Sequence, residues 1–161
     1  MALTDFLGGL GARALRTRWL VRAPINLYRV GLGFLFGTRL LMLEHVGRRT
    51  GARRYVVLEV VDRPLSNEYV VVSGFGEDAQ WYRNIKAHSG VRVWCGLRRA
   101  AAATATPITG AEGAVALDRY IQNHPGAWKN LRATIEHATA APVETLPMIS
   151  IRTHVGKERS R

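Results

Sequence analysis

The densest chemistry in this 161-residue sequence is the run Gly47-Arg48-Arg49-Thr50-Gly51-Ala52-Arg53-Arg54. Four arginines fall within seven residues, in a glycine-flanked turn. Glycines let backbone amides approach an anion closely. Guanidinium forks bind phosphate or carboxylate bidentately. The run therefore offers an anion site, although a solvated basic loop has the same composition, and these residues alone weigh the two readings about evenly. It is neither a Walker A loop nor a dinucleotide fingerprint, because GxxxxGK[ST] is absent and no GxGxxG follows a strand.

The second feature is Ser73-Gly74-Phe75-Gly76-Glu77-Asp78-Ala79-Gln80-Trp81-Tyr82-Arg83-Asn84. It reads as a strand end, a glycine-rich turn and a new helix with Asp78 as its N-cap. A helix N-terminus offers free amides to an anion. Trp81 and Tyr82 could wall a flat heterocycle, with Asn84 orienting it. The plainer reading, favoured on these residues alone, is that both aromatics pack the helix onto the domain.

Other reactive side chains read as structural. Cys95 alternates with Val91 and Val93 and is expected in the core. It is the only cysteine, so no disulfide forms within the chain and a reducing compartment is expected. His45, His88, His124, His137 and His154 show no metal-ligand spacing. Glu59, set in a valine strand, must face a channel or pair with an arginine, and Glu44 poses the same question. No Ser-His-Asp order suggests hydrolysis.

These residues need elements to hold them. Residues 2–37 read as helical, from Leu3, Phe6, Leu7, Leu10, Leu15, Trp19 and Leu20 at helical spacing, with Pro24 punctuating the run. Strands are expected at 39–46, 53–61, 68–75, 91–96, 98–106 and 146–152. The fifth is contestable, since Ala100 to Ala103 favours helix, but the turn at Leu97 is too short for a new helix layer. Helices are expected at about 79–87, 112–123 and 126–138. Residues 153–161 are expected to fray. Five or six short-spaced strands with a few helices argue for a small α+β barrel with peripheral helices.

The formal net charge is +11, with 47% hydrophobic and 22% charged residues. Such a chain folds, and its basic excess favours polyanionic partners. Nucleic acid is disfavoured, because no aromatics interleave with the arginine cluster and no known module is present. No signal peptide is expected, since the N-terminal arginines follow the apolar stretch. The longest uncharged run there, Val30 to Thr38, is too short to span a bilayer. Arg13, Arg16, Arg18, Arg22, Arg29 and Arg39 among aromatic and aliphatic residues have an interfacial composition, so peripheral contact with an anionic membrane is weighed against simple packing, which is slightly favoured.

The ordered set G-R-R-T-G-x-x-R, a valine-rich strand, S-G-x-G, W-Y-x-N and V-x-V-W resembles the deazaflavin (coenzyme F-420) dependent nitroreductase family across roughly residues 25–152. The resemblance implies a split β-barrel like that of flavin mononucleotide (FMN) binding oxidoreductases, of about six mostly antiparallel strands. It implies hydride transfer from the reduced deazaflavin to a small-molecule acceptor: a quinone, nitroaromatic or enone. By the same resemblance Arg48, Arg49 and Thr50 hold the coenzyme's phosphate and oligoglutamate tail. Arg54 and Tyr55, Val56, Val57, Leu58 and Glu59 lie along its channel. Val72, Ser73, Gly74 and Phe75 sit beside the ring, and Gln80, Trp81, Tyr82, Arg83 and Asn84 belong to a closing helix. Ser73 is the candidate for a hydrogen bond near the ring or acceptor. A lysine expected near Phe75 and a tyrosine near Glu59 are missing, which leaves the acceptor and proton donor open. The alternatives are an FMN-dependent reductase on the same barrel, or a non-enzymatic carrier of deazaflavin or haem. A cytoplasmic monomer or homodimer is expected.

Overall fold

The computed structural model describes residues 25–139 and 146–154. Its barrel strands are β1 (Leu40–Val46), β2 (Arg53–Asp62), β3 (Glu68–Val72), β4 (Gly90–Cys95), β5 (Arg98–Pro107) and β6 (Met148–Thr153). Its helices are α1 (Gln80–Ala87), α2 (Gly110–Asn123) and α3 (Pro125–Thr139). The strands close in the order β1-β2-β3-β6-β5-β4. Every neighbouring pair is antiparallel. This is the expected α+β split barrel with peripheral helices.

Two-residue periodicity builds two layers from one sheet. Leu41, Leu43, Tyr69, Val71, Val91, Val93, Cys95, Ala103, Ala105, Ile149 and Ile151 fill the interior. Trp81, Tyr82 and Ile85 of α1 join that cluster. On the outside, Val61, Val70, Val72 and Met148 meet Ala116, Leu117 and Tyr120 of α2 and Trp128 of α3. The alanines of β5 follow from this geometry: Ala103 and Ala105 are each 1% exposed inside the barrel, so tertiary packing overrides their helical preference.

Differences from expectation lie at element ends. The third strand stops at Val72, because the Ser73 hydroxyl donates to the Gly76 carbonyl at 2.7 Å and the Gly76 amide donates to the Ser73 carbonyl at 2.9 Å. Asp78 does not cap α1: Ala79 is the N-cap, and Asp78 is drawn into an ion pair with Arg83. The last strand includes Thr153, which is 1% exposed, so fraying does not begin there. Of the expected N-terminal helix, residues 25–29 are helical and Gly33–Phe36 form a 3-10 turn. Residues 1–24 and the tail 155–161 lie outside the described residues.

Helix α2 begins two residues before the expected Glu112, because Thr109 and Glu112 form a capping box. The Glu112 amide donates to Thr109 Oγ1 at 3.3 Å, and the Thr109 amide donates to Glu112 Oε2 at 2.9 Å. Thr109→Ala should therefore cost about 1 kcal/mol of stability in urea unfolding; an unchanged midpoint would show the box to be idle.

Candidate functional site

The arginine turn joins β1 to β2 and closes on itself. The Gly47 amide donates to the Ala52 carbonyl and the Gly51 amide to the Gly47 carbonyl, both at 2.8 Å. Gly51 has φ +68, a left-handed conformation that glycine adopts without penalty. A Cβ on Gly47 would lie 2.9 Å from Thr50 Oγ1 and 3.1 Å from Arg54 Nε. The turn thus packs side-chain donors closely against a glycine, where an added Cβ would push Thr50 and Arg54 aside.

Arg48 ties this turn to α1. Its backbone amide donates to Asn84 Oδ1 at 3.1 Å, and its Nη1 donates to the same oxygen at 3.0 Å and to Gln80 Oε1 at 3.0 Å. Asn84 is 2% exposed, and its Nδ2 lies 3.1 Å from Nδ1 of His45, itself 3% exposed. Burial, and then the charge of Arg54, lowers the His45 pKa to about 4. Arg49, Thr50 and Arg54 are exposed around the same turn.

The strand that follows sends its residues both ways. Val56 and Leu58 pack against the barrel interior. Tyr55 stands on the outside, where its hydroxyl donates to Glu44 Oε2 at 2.8 Å, its ring meets Trp94 edge-on, and the Arg29 guanidinium stacks 4.7 Å from its centroid. The bond to Glu44 is the leading reason that the Tyr55 pKa is raised. Glu59 is resolved by partners: it accepts from the Tyr120 hydroxyl at 2.5 Å, with Arg39 at 3.8 Å. Its pKa is raised by burial, against the lowering effect of the Tyr120 bond.

The residues singled out in the sequence therefore separate into groups. Arg48, Gln80 and Asn84 come together directly, with Arg49, Thr50 and Arg54 beside them. Gly74 is half-buried and Phe75 is 51% exposed on the next turn. Val72 lies under α2, and Trp81 and Tyr82 form a T-shaped pair in the core. Arg83 turns away to Asp78 and the Glu77 carbonyl. Ser73 is fully buried, with its hydroxyl committed to the turn, so it closes backbone rather than facing a bound molecule. Sequence reasoning missed His45 as a member of the site. The available signal was its place in the inward row Leu41, Leu43, His45 at the strand end nearest the arginines.

Two clefts open elsewhere. One of about 220 Å³ is lined by Tyr28, Trp94 and Arg99, among others, and one of about 380 Å³ lies between Glu77, α2 and Pro147. The arginine turn lines neither; its Arg49, Thr50 and Arg54 stand exposed on the surface.

The model of the F420H(2)-dependent quinone reductase family matches residues 21–145. The chain belongs to that family. It is an oxidoreductase that depends on the reduced deazaflavin coenzyme. Among solved structures, the F420-H2 dependent reductase FDR-A is 22% identical, with a TM-score of 0.51 over 71% of this chain and 94% of its own. A protein described as a domain-swapped dimer is 19% identical, with a TM-score of 0.53 over 81% and 100% of the two chains. The haem storage protein HutZ of Vibrio cholerae is 13% identical, with a TM-score of 0.53 over 76% and 87%. These likenesses establish the split barrel. No curated protein matches the chain.

The residues present fit a polyanionic coenzyme. The arginine turn supplies guanidinium and hydroxyl donors around a side-chain-free glycine, with Arg48 held in place from behind by α1. Among the described residues, no group of three or more His, Cys, Asp or Glu could hold a metal ion. No described helix is long and apolar enough to cross a membrane.

Proposed function

We propose that the reductase acts on a quinone, with nitroaromatics and enones as further acceptors, and that it holds coenzyme F-420 by its phosphate and oligoglutamate tail at the arginine turn. The observation that carries this reading is the clamped Arg48, whose Nη1 is fixed by Gln80 and Asn84. The chemistry the coenzyme supplies when bound is hydride donation to an electrophilic acceptor. Arg48, Arg49, Thr50 and Arg54 pair with phosphate and carboxylate oxygens. Tyr55 to Glu59 flank the channel that runs from the turn. Gly74, Phe75 and Gln80 line its accessible side, Trp81 and Tyr82 support it from within, and Val72 backs the adjoining strand from under α2. Asn84 orients Arg48. Solvent supplies the proton to the reduced acceptor.

The same reading places the enzyme in the cytoplasm as a monomer or homodimer. Peripheral contact with an anionic membrane is supported by Val30, Leu35 and Leu97, which are 69%, 63% and 91% exposed, on a chain rich in arginine.

Titration followed by tryptophan fluorescence tests the coenzyme assignment. The long-tailed deazaflavin should bind more tightly than the tail-free form at low salt, and the difference should shrink as salt screens the carboxylates. Equal affinity for both forms would remove the tail from the arginine site. Tighter binding of FMN than of either deazaflavin would replace the coenzyme itself.

A further inference from the structure

Beneath the arginine turn lies a buried polar side chain that hydride transfer does not use. His45 ends the inward row of β1, and its Nδ1 is 3.1 Å from Asn84 Nδ2. The neighbours decide which atom carries the hydrogen. Asn84 Oδ1 already accepts two N–H groups from Arg48, the backbone amide and Nη1. Reversing the amide would set its NH2 against both donors. Asn84 Nδ2 therefore donates towards the ring, His45 Nδ1 must accept, and the ring proton sits on Nε2.

We propose that His45 is a positioning residue for the coenzyme's anionic portion: by accepting from Asn84 it fixes the amide that holds both the backbone and the guanidinium of Arg48. The proposal rests on the reading of Arg48 as a phosphate- or carboxylate-binding group. Three elements are locked in series: His45 on β1, Asn84 on α1 and Arg48 in the turn. Gln80 adds a second anchor on α1 at 3.0 Å. An arginine held this way gives up less side-chain freedom when an anion arrives.

The groups around His45 sharpen the requirement. Arg54 of β2 is its register partner and disfavours positive charge on the ring. Arg48 stands beyond Asn84, and the residues that α1 presents to the cluster, Asn84 and Gln80, are uncharged. A proton on Nδ1 would place two donors face to face between two arginines. Asn84 would turn or retreat, and Arg48 would lose its seat.

The test combines substitution with a direct reading of the ring. His45→Leu should weaken coenzyme F-420 binding by about tenfold, the worth of one hydrogen bond. His45→Asn, whose amide oxygen takes the place of Nδ1, should restore most of that loss. In an Arg48→Ala background His45→Leu should cost nothing further, since the two act through one contact. Nitrogen-15 spectra of the unsubstituted protein at neutral pH should show Nδ1 bare and Nε2 protonated, without any coenzyme present. A ring protonated on Nδ1 overturns the proposal even if no variant folds. Undiminished binding by His45→Leu also overturns it, provided Arg48→Ala binds weakly. If Arg48→Ala binds normally, the anion site itself is misplaced and His45 loses its role with it.

Discussion

Arg48→Ala should weaken coenzyme binding by about 1.5–3 kcal/mol, roughly 10- to 150-fold, with little change in stability. Charge-assisted contacts to phosphate or carboxylate are the strong ones, and Arg48 is the arginine of the turn whose geometry is fixed before binding. Its Nη1 is anchored to Gln80 and Asn84. The remaining guanidinium N–H groups are therefore directed by that anchor. Removing the side chain leaves the buried Asn84 satisfied, because the residue-48 backbone amide still donates to Asn84 Oδ1 at 3.1 Å. Arg49 and Arg54 are more exposed and should cost less when removed, since an unanchored arginine offsets its contact with lost side-chain entropy. Calorimetric titration alongside thermal unfolding separates the effects. An Arg48→Ala protein that melts early, or that binds the coenzyme normally, contradicts the assignment.

The barrel was legible because its strands carry their own signal. Runs such as Leu40–Val46 and Arg53–Asp62 are rich in β-branched and aliphatic residues and are separated by a glycine turn. Errors fell where a competing local bond decides a boundary. Asp78 resembles a helix cap, but Arg83 takes its carboxylate. Ser73 resembles a site hydroxyl, but the Gly76 carbonyl takes its proton. The proposed anion site at the arginine turn was legible because the residues that make it are contiguous. Its supports were not, since each depends on long-range closure. His45 meets Asn84 across 39 positions, and Arg48 meets the same amide across 36. Nor does a strand's sequence say which parity faces inward, so Tyr55 to Glu59 read as one lining when the pleat divides them.

Acidification should expose the buried histidine as a stability switch. The His45 pKa is lowered from 6.5 to about 4 in the folded protein, first by burial and then by Arg54. Between those values the unfolded chain binds a proton that the folded one refuses. The contribution is therefore fully present above about pH 6.5 and is lost as the pH falls towards 4. Over that window it amounts to about 3 kcal/mol, at about 1.4 kcal/mol per pKa unit. Glu59 acts in the opposite sense, because burial raises its pKa and acid relieves the cost of its buried charge. The total pH profile of the natural chain thus mixes the two, and the difference between variants is the informative quantity. Urea unfolding at pH 7 and again near pH 4.5 should show the natural protein losing more stability than His45→Asn, which has no imidazole to protonate. Coenzyme affinity should fall over the acid end of the same window as Asn84 loses its acceptor. Parallel losses in the two proteins would mean that the His45 ring takes up its proton in the folded state as readily as in the unfolded chain.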